Sequence, residues 1–329
     1  MKSKIIYLAI TALSILCGCN QKMSVPGKMD GQVTTVNFNV PVTNTKSLAL
    51  SSEEAVNSLQ VFVFGMDGKI DAYKSANAGR LSLTCTTGEK EIFALVNAGP
   101  RSDVRTKSDL LGLVTDLKEN NDAGLVMEGY IRTNLTPGAS VSIPVSRNVA
   151  RISLQTVTSD FELDVHRKQE FKIKRVMLIN VAGNKKINGN SVSVSVDEVP
   201  TLWYNKMGFA QSPLQMLCDE VSDVPVTEES PYQTKHYFYC YPNPTSEDVS
   251  GGVWSERYTR LVVSATLDGV LYHYPVSIPQ IKANTCYDVS LKVTRPGSST
   301  EDEPVEKLDA SIIVTVSPWG ETNVMQETI

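Results

Sequence analysis

The chain has 329 residues and a formal net charge of −5. A mildly acidic chain without a Lys/Arg block argues against nucleic acid or anionic headgroups as electrostatic partners. Once an export signal is removed, about 310 residues would remain, more than one ordinary core organises, so two domains are expected.

The chain opens MKSKIIYLAITALSILCGCN. Lys2 and Lys4 form a short basic start, and Ile5 to Leu16 an apolar run too short to span a membrane but suited to an export signal over residues 1–18. The run ends in Leu16-Cys17-Gly18-Cys19, which resembles a bacterial lipobox. Cys19 is therefore the expected lipidation site, and its covalent lipid would hold the chain to the outer membrane without a spanning helix. The alternative is a plain secretory signal with two incidental cysteines. Cys85, Cys218, Cys240 and Cys286 show no zinc spacing and leave three disulfide pairings open. Cys85 and Cys286 lie in apolar strand-like runs, where buried free thiols are expected.

Residues 19–31 read as a polar tether. The stretch VTTVNFNVPV that follows alternates Val36, Phe38, Val40 and Val42 with polar residues and Pro41, which makes a first strand with one apolar face. Pro41 cannot donate to a ladder and marks a strand end or an edge. Further strands are expected at 57–65 and 91–97, with Asp67-Gly68 as a hairpin turn. A helix is expected from an N-cap at Ser108 through Leu110, Leu113, Val114 and Leu117 to Asn120. Strand signals resume at 140–145 and 150–157, and a polar stretch at 159–170 suggests a boundary between domains at 32–160 and 161–295. The second half repeats the pattern at 171–181, 191–196, 237–241, 260–267, 270–278 and 286–294, with Asp268-Gly269 as a second hairpin turn. Residues 296–306 read by composition as a flexible acidic linker, and 310–317 as a last strand. Many short strands with frequent turns predict an all-β protein with one or two short helices, built as two β-sandwich-like domains in tandem.

Catalytic signals are few. His166, His236 and His273 are scattered, and no nucleophile elbow, P-loop, dinucleotide fingerprint or metal-ligand spacing occurs. Asp67 and Asp71 flank a turn without the remaining ligands of a calcium loop. No enzyme activity, no metal site and no cofactor other than the lipid on Cys19 is expected.

The lipobox is followed in order by LQVFVFG at 59–65, KEIFALVNA at 90–98, GLVM at 124–127, RNVARISL at 147–154, FKIKRV at 171–176, CYDVSLKVTRPG at 286–297 and VSPW at 316–319. This series resembles the fimbrillin family, the structural subunits of type V pili from the Bacteroidales. The resemblance implies export as a lipoprotein, then a cut after the first strand by a trypsin-like, usually arginine-specific protease. The cut removes the lipid and the strand and leaves a groove, which a C-terminal strand of a neighbouring subunit fills. By that resemblance the cleavage site is Lys46–Ser47, the displaced strand carries Val36, Phe38, Val40 and Val42, and the donor face carries Ile312, Val314 and Val316. Position 46 holds lysine, and the first arginine of the chain is Arg80. The expected partners are copies of itself or related pilus subunits, the processing protease, and the membrane through the lipid. Two other readings stay open. One is an uncleaved, lipid-anchored base subunit. The other is a monomeric surface lipoprotein that binds glycan through aromatic residues such as Trp203, Tyr204 and Trp254.

Overall fold

The computed structural model describes residues 31–41, 51–121, 123–189, 200–206, 212–246, 256–303, 310–319 and 325–328. The first half of the chain carries β1 (Val33–Asn39), β2 (Leu59–Gly65), β3 (Ile70–Ala76), β4 (Arg80–Thr86), β5 (Gly88–Val96), helix α1 (Lys107–Gly112) and β6 (Val114–Asp116). It continues with β7 (Met127–Leu135), β8 (Ser140–Ser142), β9 (Ser146–Arg147), β10 (Ala150–Ser159) and helix α2 (Asp164–Arg167). The second half adds β11 (Phe171–Ile179), β12 (Val181–Ala182), β13 (Asn184–Lys186), β14 (Trp203–Tyr204), β15 (Cys218–Pro225) and β16 (His236–Cys240). The last strands are β17 (Thr259–Leu267), β18 (Val270–Ile278), β19 (Thr285–Val293), β20 (Ala310–Pro318) and β21 (Met325–Thr328).

These strands form a mainly β molecule. A sheet of order β3-β2-β5-β7-β9 faces a smaller sheet, β4-β1-β8, across a core of aliphatic side chains. Its opposite face buries Phe62, Phe64, Phe93 and Leu95 beneath Leu110 of α1. A second core lies among strands of the sheets β16-β10-β19-β20-β21 and β15-β11-β17-β18. Turn chemistry sets the hairpins as the sequence predicts. Asp268 (φ 50°) and Gly269 (φ 84°) join β17 to β18 through two consecutive left-handed residues, the twist that a two-residue hairpin needs. Asp67-Gly68 lies in the β2–β3 connection, where the Lys69 amide donates to Asp67 Oδ1.

The two halves are joined by more than a linker. β6 pairs antiparallel with β13, and Leu117 and Leu125 contribute to the second core. Glu128, fully buried on β7, accepts hydrogen bonds from the Asn188 and Gly189 amides at 2.9 and 2.8 Å, which pins the chain after β13 onto the first half.

Several sequence expectations are corrected. The helix is capped by Thr106, not Ser108: Thr106 Oγ1 accepts from the Asp109 amide while the Asp109 carboxylate accepts from the Thr106 amide. It ends at Gly112 because Val114–Asp116 is drawn into pairing with β13. β10, placed with the first domain by a boundary at 160, pairs with β16 and β19 in the second set of sheets. A strand buried on both faces shows its class in its pattern but not its partner. The acidic stretch after residue 296 is not a free linker as far as residue 303. Glu301 pairs with Arg175 at 2.5 Å, and Asp302 pairs with Arg260 at 2.7 Å and with Arg257. Those arginines come from β11, β17 and the segment just before β17, and the Arg257 and Arg260 side chains are only 6% and 3% exposed, so they draw in carboxylates that composition assigns to solvent. The strand expected at 191–196 lies outside the described residues. Cys85, Cys218, Cys240 and Cys286 are all free, and burial pushes the thiols of Cys85 and Cys286 up, the latter to about 11.

Candidate strand-exchange groove

β1 forms because its residues alternate strictly in character. Val36, Phe38 and Val40 are buried, while Thr35 and Asn37 face solvent. The strand ends at Asn39, before Pro41, where a missing N–H is harmless. β1 is nevertheless the middle strand of its sheet. On one side it pairs antiparallel with β4 from Val33↔Thr86 to Asn39↔Arg80. On the other it pairs parallel with β8 over only Asn37↔Ser140 to Asn39↔Ser142. The flanking bonds are Val40 N to Gly79 O at 3.0 Å, Ile143 N to Asn39 O at 2.9 Å and Asn37 N to Ala139 O at 3.0 Å.

Withdrawal of β1 would leave a slot with defined walls. β4 supplies Leu81, Leu83 and Cys85, the β8 side supplies Val141 and Ile143, and the floor is Val61, Val63, Ile92 and Ala94 of the larger sheet. Burying Val36, Phe38 and Val40 contributes about 5–9 kcal/mol as an upper figure, against about 5–15 kcal/mol for the whole stability of a typical domain. The outer face is held more lightly, by contacts such as Ser82 Oγ to Asn37 Oδ1 at 2.6 Å. A slot so lined would suit an extended, alternately apolar strand held by main-chain bonding and side-chain burial.

The candidate donor, β20, sits in the other core. It pairs antiparallel with β19 along its whole length, from Val293↔Ala310 to Thr285↔Pro318, and β21 covers part of its other edge. Ile312 and Val314 are buried, Val316 is partly buried, and Ile313 faces outward at 40% exposure. The structure therefore does not bring the two candidate strands together: each occupies its own core. Val42, Lys46, Ser47 and Cys19 lie outside the described residues.

Two features that bear on these strands carry no sequence signal. One is the parallel pairing that makes β8, within the strand expected at 140–145, the far wall of the slot. The other is Glu53, fully buried just before β2, whose carboxylate pairs with Arg151 at 3.1 Å. Glu53, in the polar run Ser51-Ser52-Glu53-Glu54, carries no sequence signal, although two arginines at 147 and 151 within a strand-like stretch are a hint that a buried anion is needed.

The aromatic platform of the glycan-binding reading is not present at residue 203. Trp203 is 5% exposed with its indole N–H donated to the Pro200 carbonyl, and Tyr204 donates to Asp116. Trp254 lies outside the described residues. Among the described residues no three His, Cys, Asp or Glu side chains converge as a metal site, and no helix is long and apolar enough to cross a membrane.

Comparison with known proteins accords with this architecture. Residues 34–195 match the family model of the major fimbrial subunit protein (FimA). A fimbrilin from Porphyromonas gingivalis superposes with a TM-score of 0.63 at 18% identity, over 88% of this chain and 98% of that one. A candidate cell adhesion protein from Bacteroides eggerthii gives 0.66 at 18% identity, over 88% and 97%. The tip fimbrial protein Mfa3 of Porphyromonas gingivalis, solved with a C-terminal truncation, gives 0.54 at 14% identity, over 88% and 100%. At such identities the likeness is one of fold. No curated protein matches the chain in sequence.

Proposed function

Because the chain belongs, through residues 34–195, to the fimbrillin family, and so to the subunits of a cell-surface fimbria, we propose that it is exported as a lipoprotein on Cys19 and polymerises by strand exchange. In this reading a protease cuts between Lys46 and Ser47, β1 leaves with the lipid, and β20 of a neighbouring subunit takes its place. The fibre would support adhesion. The observation that carries the reading is the seat of β1. The first described strand occupies the middle of a sheet and buries its apolar face, so its loss would expose both a core and two strand edges. Such a subunit is driven to accept another strand.

N-terminal sequencing of surface-extracted protein tests the cut. A start at Ser47 supports a polymerised subunit, and Lys46→Ala should then stop assembly while the precursor stays folded. Polymer formation by that variant would sink the cleavage step. A second reading, an uncleaved base subunit that only donates β20, is favoured by lysine in place of arginine at position 46. A blocked, lipidated Cys19 as the sole extracted form would establish it.

A further inference from the structure

The segment that follows the proposed cut and the end of the proposed donor strand meet at one buried cluster. Glu53 lies seven residues beyond Lys46, and its side chain is fully buried. Arg151 Nη1 reaches both carboxylate oxygens, at 3.2 and 3.1 Å, and the Tyr239 hydroxyl donates to Oε1 at 2.8 Å. Arg147 Nε donates to the Glu53 carbonyl at 3.0 Å. Trp319, the residue directly after β20, lies on the same groups. The Arg147 and Arg151 guanidinium carbons sit 4.8 and 5.4 Å from its ring centroid, and the ring stacks on Tyr239 at 6.0 Å and 10°. Trp319 is 4% exposed, and its indole N–H has no acceptor among the described residues.

We propose that Glu53 is the bolt of an interlock that keeps β20 seated in its own subunit until the first strand has been removed; this rests on the fimbrial reading above. Two neighbouring arginines, each 6% exposed, are costly to bury without an anion, and Glu53 supplies it. Trp319 in turn rests on the guanidinium faces and the tyrosine that Glu53 orients, and an orphaned N–H gives it no hydrogen bond of its own. While the chain is uncut, the segment bearing Glu53 is closed at both ends, by β1 on one side and β2 on the other. A cut at Lys46 turns that segment into a terminus, and a terminus frays at lower cost than a closed loop. Departure of Glu53 takes the carboxylate from Arg151 and the carbonyl acceptor from Arg147 Nε, water enters, and the residue that follows the donor strand loses its seat. Donor release thus follows maturation, and an unprocessed chain does not polymerise early.

Hydrogen–deuterium exchange on the uncut full chain reads this directly. Glu53→Gln should raise exchange across residues 310–318 by about tenfold or more, the effect of losing a charge-assisted buried hydrogen bond. Residues 33–39 and 59–65 should stay at wild-type rates. Trp319→Leu should produce the same local rise, and the double variant should add nothing to either. Glu89→Gln, which removes an exposed ion pair with Arg132, is the control and should change nothing at 310–318. Unchanged protection at 310–318 in Glu53→Gln would overturn the proposal. So would an equal rise across 171–179 and 259–267, because Glu53 would then be a general structural group. Exchange is read without reference to polymer, so a wild-type protein that never polymerises would count against the fimbrial reading while leaving this result in place.

Discussion

Phe38 is the largest side chain on the buried face of β1, 1% exposed and set between Val36 and Val40. Replacing it with alanine removes a ring from a close-packed core that relaxes only in part, so Phe38→Ala should destabilise the uncut protein by about 3–5 kcal/mol. Thr35→Ala, on the exposed face of the same strand, should change stability by less than about 0.5 kcal/mol. Urea unfolding of both variants checks the contrast; equal effects would mean that β1 is not held by its apolar face. His273 offers a different test at this scale. Its ring is buried, Nδ1 meets Ser264 Oγ at 2.9 Å, and Glu301 Oε1, which also pairs with Arg175, lies 4.0 Å away. Burial holds its pKa below the ordinary 6.5, while Glu301 raises it and Arg175 lowers it. A base held below its unfolded value is neutral in the folded protein, so its contribution is present above about pH 6.5 and fades as pH falls through that value toward the lower folded one. Stability should therefore drop on acidification from pH 7.5 to 5.5, and His273→Gln should shrink that drop. A drop of the same size in the variant would remove His273 from the account.

Among the elements, the strap at 298–303 changes how β20 could move. Ser298 exchanges backbone bonds with His273 at 2.8 and 2.9 Å, Gly297 packs against Tyr274, and Asp302 accepts from Arg257, Arg260 and the Asn180 side-chain Nδ2. A donor strand leaving its own sheet would therefore pivot beyond residue 303, not from residue 296. Asp302→Asn removes the carboxylate from two nearly buried guanidinium groups and should cost roughly 2–3 kcal/mol. It should also open residues 298–303 to proteolysis, and resistance equal to wild type would show that the ion pairs do not hold the strap. This strap and β1 mark what sequence could and could not disclose. β1 was legible because period-two alternation is local: each of Val36, Phe38 and Val40 announces its own face. The strap was not, because Glu301 and Asp302 are explained only by arginines more than forty residues away. The same holds for β10, whose run of buried residues from Ala150 to Leu154 fits any sheet interior and names no neighbour. β8 falls within the strand expected at 140–145, but three residues do not say that they pair parallel with β1 and wall the slot.

For the whole molecule, the question is whether the strand in one core suits the slot in the other. Among the described residues both present three apolar side chains at alternate positions: Val36 and Phe38 of β1 with Val40 just after it, and Ile312, Val314 and Val316 on β20. The middle member of each trio occupies the centre whichever way the incoming strand runs, so centred insertion would set Val314 where Phe38 had been. Valine is smaller than phenylalanine, and the difference would leave a void lined by the aliphatic groups of β4 and of the larger sheet. A peptide of residues 310–319 added to protein freed of β1 should bind the slot, and the same peptide with Val314→Phe should bind more tightly. The added ring surface is worth about 1–2 kcal/mol, or roughly five- to thirtyfold in Kd. A peptide with Val314→Asp should fail, since a carboxylate would be buried without a partner. Fluorescence anisotropy on labelled peptides measures all three. If Val314→Phe binds no better or worse than the native peptide, the centred register is wrong. If Val314→Asp binds as well as the native peptide, the Ile312–Val314–Val316 face is not the one that enters the slot.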